Sequence, residues 1–173
     1  MSAARRLVLL RHAKAERPPA VRDHDRWLTA RGHRDAAATG EWLAGAGLRP
    51  DLVLCSSARR TVQTWASLRE GLGVVGSQEP ELRVEPDLYE ASPAAVVNLV
   101  AEAADDVRTV LVVGHQPTLS QVAVALAGPR SDERLLGQVR AGLPTAGAAV
   151  LEAEGPWSAV EAASLRLTAL HIP

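Results

Sequence analysis

Three polar clusters in this chain each follow an apolar run: Arg11-His12, Ser56-Ser57-Ala58-Arg59-Arg60 and Gly114-His115-Gln116-Pro117. Guanidinium forks match the oxygens of a tetrahedral oxyanion two at a time and stay charged at any working pH. A neutral imidazole among such cations is a competent phosphoryl acceptor, because the cations offset charge on the transferred group. Neighbouring cations also depress a histidine pKa, so the nucleophile is expected to be unprotonated. A helix starting near Ser57 would add backbone N–H groups and the positive end of its dipole. These residue types together fit chemistry on a phosphate.

The elements that must bring the clusters together can be read from the pattern. Leu7–Leu10 is a short apolar run expected to form a buried strand, and Arg11–Trp27, with Pro18-Pro19 and several charges, a loop. Thr29 is expected to cap a helix reaching about Ala46, closed by Gly47. Leu52–Cys55 reads as a second strand, with Ser56 or Ser57 capping a helix through about Leu72, and Leu82–Val84 as a third. Ser92-Pro93 opens a helix whose apolar face is Val96, Leu99, Val100 and Ala103. Val110–Val113 is a strand, and Leu119, Val122, Ala123 and Leu126 repeat the helical spacing before Gly128. Ala146–Leu151 and Ala159–Leu170 are expected to be strands, with a helix or loop at Asp132–Val139. Alternating strands and helices predict one α/β domain over residues 1–173, a three-layer structure whose central, mostly parallel sheet is flanked by helices. In such a sheet the loops at the carboxyl ends of the strands converge, so the three clusters are expected to share one crevice.

Against this background the motifs become specific. Leu9-Leu10-Arg11-His12-Ala13 resembles the signature of the histidine phosphatase superfamily, the phosphoglycerate-mutase-like fold. That motif usually reads Arg-His-Gly; Ala13 in place of glycine is a variant associated with its SixA-like branch. Ser56 to Thr64 is similar to the second motif, in which an arginine precedes Thr by four positions, and this selects Arg60 over Arg59. Gly114-His115-Gln116-Pro117 resembles the third, with Gln116 where Asn is commoner. Asp25-Arg26-Trp27-Leu28-Thr29-Ala30-Arg31-Gly32 resembles the Arg-Pro-Leu-Thr stretch of SixA-type phosphohistidine phosphatases, with Trp27 in place of proline. The resemblance spans the first two thirds of the chain in order and is loose beyond. It implies a two-step reaction without metal or cofactor. His12 would accept the phosphoryl group; Arg11, Arg60 and His115 would hold its oxygens; Glu90 stands where many members carry a proton donor. Ser57 and Arg26 are further candidates for substrate contact, Arg26 equally for a surface salt bridge. The short stretch from Thr64 to Pro93 leaves little for a lid, which favours a phosphorylated protein as partner, such as a histidine phosphotransfer domain. A small-metabolite phosphatase or mutase of the same superfamily is the second reading, and a non-catalytic phospho-binding module the third.

Competing chemistries find less support. Asp23-His24-Asp25 has a metal-ligand composition, but consecutive side chains rarely converge on one ion, so a solvated loop is expected. Cysteine phosphatases place an arginine six residues after the cysteine; after Cys55 that position is Thr61, so Cys55 is expected in the core. No Gly-x-Ser-x-Gly or Gly-x-x-x-x-Gly-Lys pattern occurs. His33 is expected on an exposed helix face and His171 near a terminal strand. The 173 residues are 47% apolar and carry a net charge of -1, which fits a single core and no nucleic-acid footprint. One cysteine and no long apolar segment predict a cytoplasmic protein without a membrane span.

Overall fold

A computed structural model describes residues 4–74, 76 and 79–173. Its elements run in the order β1 (Arg5–Arg11), α1 (Ala30–Gly45), β2 (Leu52–Ser56), α2 (Arg59–Leu72), β3 (Glu81–Glu85), α3 (Pro93–Ala101), β4 (Thr109–Gly114), α4 (Thr118–Leu126), α5 (Glu133–Ala141), β5 (Ala148–Ala153) and β6 (Arg166–His171). The sheet order is β3-β2-β4-β1-β5-β6. The first four strands run parallel to their neighbours, while β5 pairs antiparallel with both β1 and β6. The chain is thus one α/β domain with a six-stranded, mostly parallel sheet between two helical layers.

The strands read as unbroken apolar runs because both sheet faces are covered. Leu7, Leu9, Leu52, Leu54, Val110 and Val112 face α3, α4 and α5, where Val96, Val100, Leu119, Val122 and Val139 meet them. The alternate residues Val8, Leu10, Val53, Cys55, Leu111 and Val113 face Leu43 of α1 and Trp65, Leu68 and Leu72 of α2. Leu7, Leu9 and Leu10 are entirely buried, each burial stabilising by about 1.5–3 kcal/mol. The α1 and α2 helices cross so closely that a Cβ at Gly40 would strike the Leu68 carbonyl and one at Gly71 the Ala37 carbonyl.

Two expectations change. The last strand covers only Arg166–His171, preceded by a 3-10 turn at Trp157–Ala159 whose indole is fully buried and donates to Val107 O at 2.9 Å. The α2 helix begins at Arg59 after Ala58, and neither Ser56 nor Ser57 caps it. Thr29, Ser92 and Asp132 do cap α1, α3 and α5 through their side chains. No helix among the described residues is long and apolar enough to cross a membrane.

Candidate active site

The β1 strand delivers Arg11 and then His12, whose backbone N–H donates to Gly114 O at 3.0 Å, the end of β4. Adjacent parallel strands thereby set the first and third polar clusters side by side. Ala13 N–H donates to Thr64 Oγ1 at 3.0 Å, and the same hydroxyl donates to Arg60 O at 2.6 Å. Thr64 therefore ties the His12 loop to the first turn of α2, which explains the four-residue spacing from Arg60. The Ala13 methyl, absent from the usual glycine, packs with Leu28, Ala36 and Ala146. Gln63 Oε1 accepts Leu28 N–H at 2.8 Å, and Gly32 lets α1 lie on the loop after His12, where a Cβ would strike the Lys14 carbonyl.

His12 Nδ1 lies 2.8 Å from Ala13 O. A carbonyl only accepts, so Nδ1 carries the proton and Nε2 keeps its lone pair. The His12 and His115 ring centroids are 5.4 Å apart. Arg60 Nη2 stands 3.4 Å from His115 Nδ1, and His115 Nε2 is 2.8 Å from Ser56 Oγ. Guanidinium only donates, so Nδ1 of His115 accepts and its Nε2–H points to Ser56. Burial is the leading cause that depresses both imidazoles, with Arg60 adding to it: His12 falls to about 3 and His115 to about 4. The neighbouring cations named from the sequence contribute, but desolvation comes first. Both rings are neutral at any ordinary pH.

The structure thus brings Arg11, His12, Arg60 and His115 together. Arg60 is 5% exposed and its position is set by Asp23, to which the sequence reading assigns no part in the site. Its Nη1 donates to Asp23 O at 2.6 Å and its Nη2 to Asp23 Oδ2 at 2.9 Å. The Asp23 carboxylate also accepts from Arg26 Nη1 at 2.7 Å and Tyr89 Oη at 2.6 Å, and these donors hold it well below the usual carboxylate range. The Tyr89 ring packs edge-on against His115, at 5.5 Å, and His24, at 4.9 Å. Asp23-His24-Asp25 is therefore a 3-10 turn in the site wall that, as expected, remains partly solvated. Its side chains take different partners, Asp23 with Arg60, His24 Nε2 with Ser57 Oγ at 3.0 Å and Asp25 with Arg22 at 2.7 Å, while His24 Nδ1 also lies 3.5 Å from Asp25 Oδ1.

Ser57 and Arg26 reach this group through His24 and Asp23. Arg26 is both a salt-bridge partner and a cavity-lining residue. Glu90 is exposed, and among the described residues no hydrogen bond or ion pair joins it to the group; its neighbour Tyr89 faces the histidines instead. Arg59 is exposed with its guanidinium 5.4 Å from the Trp27 ring centre. Cys55 is buried, its thiol pushed up to about 12 by desolvation, and His33 and His171 lie elsewhere, against Ser67 and Trp42. Arg11 donates from Nη1 to Leu143 O at 2.9 Å and divides two hollows. One, of about 440 Å³, also holds His12; the other, of about 720 Å³, is walled by Gln116, Val124, Arg140 and Leu143.

The sequence profile of the histidine phosphatase superfamily (branch 1) matches residues 7–94, the span from β1 into α3 that builds most of this site. The chain belongs to the histidine phosphatase superfamily. Solved structures similar to it include that of a protein provisionally named phosphohistidine phosphatase SixA from Nakamurella multipartitia, 35% identical with a TM-score of 0.85, covering 99% of this chain and 98% of that one. A similarly named protein from Agrobacterium tumefaciens is 31% identical, with a TM-score of 0.80 and coverage of 99% and 100%. An uncharacterised protein of Mycobacterium tuberculosis is 38% identical over 165 residues, 95% of this chain and 99% of the relative. These likenesses put the histidine phosphatase domain on the SixA-type branch of the superfamily and support phosphatase activity.

Proposed function

We propose that this histidine phosphatase hydrolyses phosphohistidine on a partner protein through a phosphoryl intermediate on His12. The carrying observation is the His12 ring itself: neutral, fixed through Nδ1 to Ala13 O, with Nε2 free beside Arg11, Arg60 and His115. In the first step Nε2 bonds to phosphorus as the P–N bond to the substrate imidazole breaks, and the departing nitrogen takes a proton from solvent. In the second, water bonds to phosphorus, the P–Nε2 bond breaks and inorganic phosphate leaves. Arg11 and Arg60 take the charge on the equatorial oxygens, so neither step draws on a metal or cofactor. Arg60 engages the oxygens with the guanidinium that Asp23 already orients. His115, its Nδ1 proton-free in this state, turns donor when its tautomer shifts, Nδ1 taking a proton from solvent while Nε2 gives up its own and accepts from the Ser56 hydroxyl instead.

A protein substrate is favoured because Lys14, Arg17 and Arg31, on the rim beside His12, are all exposed and leave that approach open. A small phosphorylated metabolite is the second reading, favoured by the hollow of about 720 Å³ on the far side of Arg11, which is of a size to enclose a small ligand.

The test is a rapid-quench experiment with a radiolabelled phosphohistidine phosphotransfer domain as donor, alongside a panel of phosphorylated metabolites. The expected result is an acid-labile, base-stable phosphoenzyme in the wild type and none in His12→Ala, with the protein donor turned over fastest. Full turnover by His12→Ala would refute the mechanism. A metabolite preferred over the protein donor would refute the substrate.

A further inference from the structure

We infer that the cationic hollow beside His12 is a subsite for a second anionic group, a carboxylate or phosphate carried by the same substrate as the scissile phosphoryl group. The inference deepens the proposed function and rests on it. Five cationic side chains, Arg11, Lys14, Arg17, Arg26 and Arg31, line this hollow of about 440 Å³, and among the described residues no carboxylate does. The chain as a whole has slightly more acidic than basic residues, so this is a local concentration of one sign.

Their pairing shows which of them are available. Arg26 is matched by Asp23 at 2.7 Å, and Arg31 leans on Asp35 at 3.3 Å with its side chain 65% exposed. Arg11, Lys14 and Arg17 have no ion-pair partner among the described residues. The Arg11 Nε is buried without a hydrogen-bond acceptor, and Arg17 is close enough to help burial lower the Arg11 pKa. Like charges gathered around one cavity repel one another, and an anion bound among them relieves that cost. The scissile phosphoryl group does not account for the whole set. Its oxygens fall to Arg11, Arg60 and His115, which leaves Lys14, Arg17 and Arg31 facing a volume large enough for a further group. Guanidinium and ammonium donors at that place fit a carboxylate, as on an acidic residue flanking a phosphohistidine, or a second phosphate.

A basic rim that merely steers anions would raise the affinity of every phosphate alike. Calorimetric titration of the intact protein with methylphosphonate, phosphonoacetate and methylenediphosphonate separates the two cases. The expected result is that at least one two-anion probe binds about tenfold or more tightly than methylphosphonate. Preference for phosphonoacetate identifies the carboxylate source, and preference for methylenediphosphonate the phosphate source. In the combined variant Lys14→Gln, Arg17→Gln, Arg31→Gln, all exposed positions, the gap closes while methylphosphonate affinity stays within about twofold. Equal affinities for all three probes in the wild type, or an unchanged gap in the variant, would overturn the subsite. Failure of the His12 chemistry reads differently: no phosphoenzyme forms, while the binding gap persists.

Discussion

Thr64→Val removes one oxygen and tests whether the nucleophile loop and the Arg60 helix act as a unit. Thr64 is fully buried; its hydroxyl accepts Ala13 N–H at 3.0 Å and donates to Arg60 O at 2.6 Å. Valine fills nearly the same space, so little cavity arises. Arg60 O keeps its helical partner four residues on, but Ala13 N–H is left buried with its acceptor gone. One orphaned buried donor costs about 1–3 kcal/mol. With a urea m-value of roughly 2 kcal/mol/M, the unfolding midpoint falls by about 0.5–1.5 M. The catalytic effect should exceed that of a remote core lesion, because the Ala13 carbonyl fixes the His12 ring through Nδ1. Misplacing a reacting group by about 1 Å can cost on the order of a hundredfold, so kcat on an aryl phosphate should drop by about ten- to a hundredfold. Thr64→Ser keeps the hydroxyl and should restore most of kcat, losing only a methyl. Valine with wild-type midpoint and kcat within about twofold would refute the coupling.

Asp23→Asn keeps the backbone carbonyl on Arg60 at 2.6 Å, and with it much of the orientation, but removes the carboxylate charge, so inorganic phosphate should inhibit about fivefold more tightly at low salt; weaker inhibition would mean that the carboxylate's part in orienting Arg60 outweighs its competition with phosphate. Glu90→Gln should change turnover of alkyl and aryl phosphates alike and by less than about twofold, as its exposed position predicts; a loss confined to the alkyl esters would establish it as the leaving-group acid. The pH dependence of stability follows from the two histidines, whose folded pKa values of about 3 and about 4 lie below the ordinary 6.5. Between about pH 6.5 and 4 the unfolded chain binds protons that the folded chain refuses, so stability falls as pH falls, by up to about 2.7 kcal/mol per unit for the pair. Urea midpoints at about pH 7 and pH 5 should differ accordingly, the difference shrinking in His115→Asn; equal midpoints would contradict neutral buried imidazoles.

Much of the fold was legible because its signals are local. The runs at Leu7 and Val110 are unbroken since both sheet faces are covered, and Thr29 and Ser92-Pro93 mark helix starts by their own hydrogen bonding. Strand direction is not local: the alternation in Arg166–His171 is the same whether β6 runs with or against β5. The two serines misled for a related reason. Each has the chemistry of a cap, but Ser56 is claimed by His115 and Ser57 by His24, partners 59 and 33 residues away in the chain. Within the site, Arg60 could be chosen over Arg59 from its spacing to Thr64, because that spacing reflects a real bond. Asp23 and Tyr89 carried no comparable mark. They meet each other across 66 residues and meet Arg60 through a turn whose composition reads as solvated.

That turn answers a problem any such site must solve before substrate arrives. A guanidinium only 5% exposed is costly to bury without an anion, and in the proposed reaction the phosphoryl group that would serve as one is absent between turnovers. Asp23 stands in, bonding Arg60 through both its carbonyl and its carboxylate, while Arg26 and Tyr89 keep that carboxylate ionised and in place. Half of the Asp23 side chain remains in water, so its charge is partly screened and its hold on Arg60 is weaker than a dry ion pair. In the proposed reaction an incoming phosphate therefore meets a cation already oriented, beside two uncharged imidazoles and an Arg11 that no carboxylate among the described residues neutralises. The geometry of the charged group is settled by folding, and binding need not order it again.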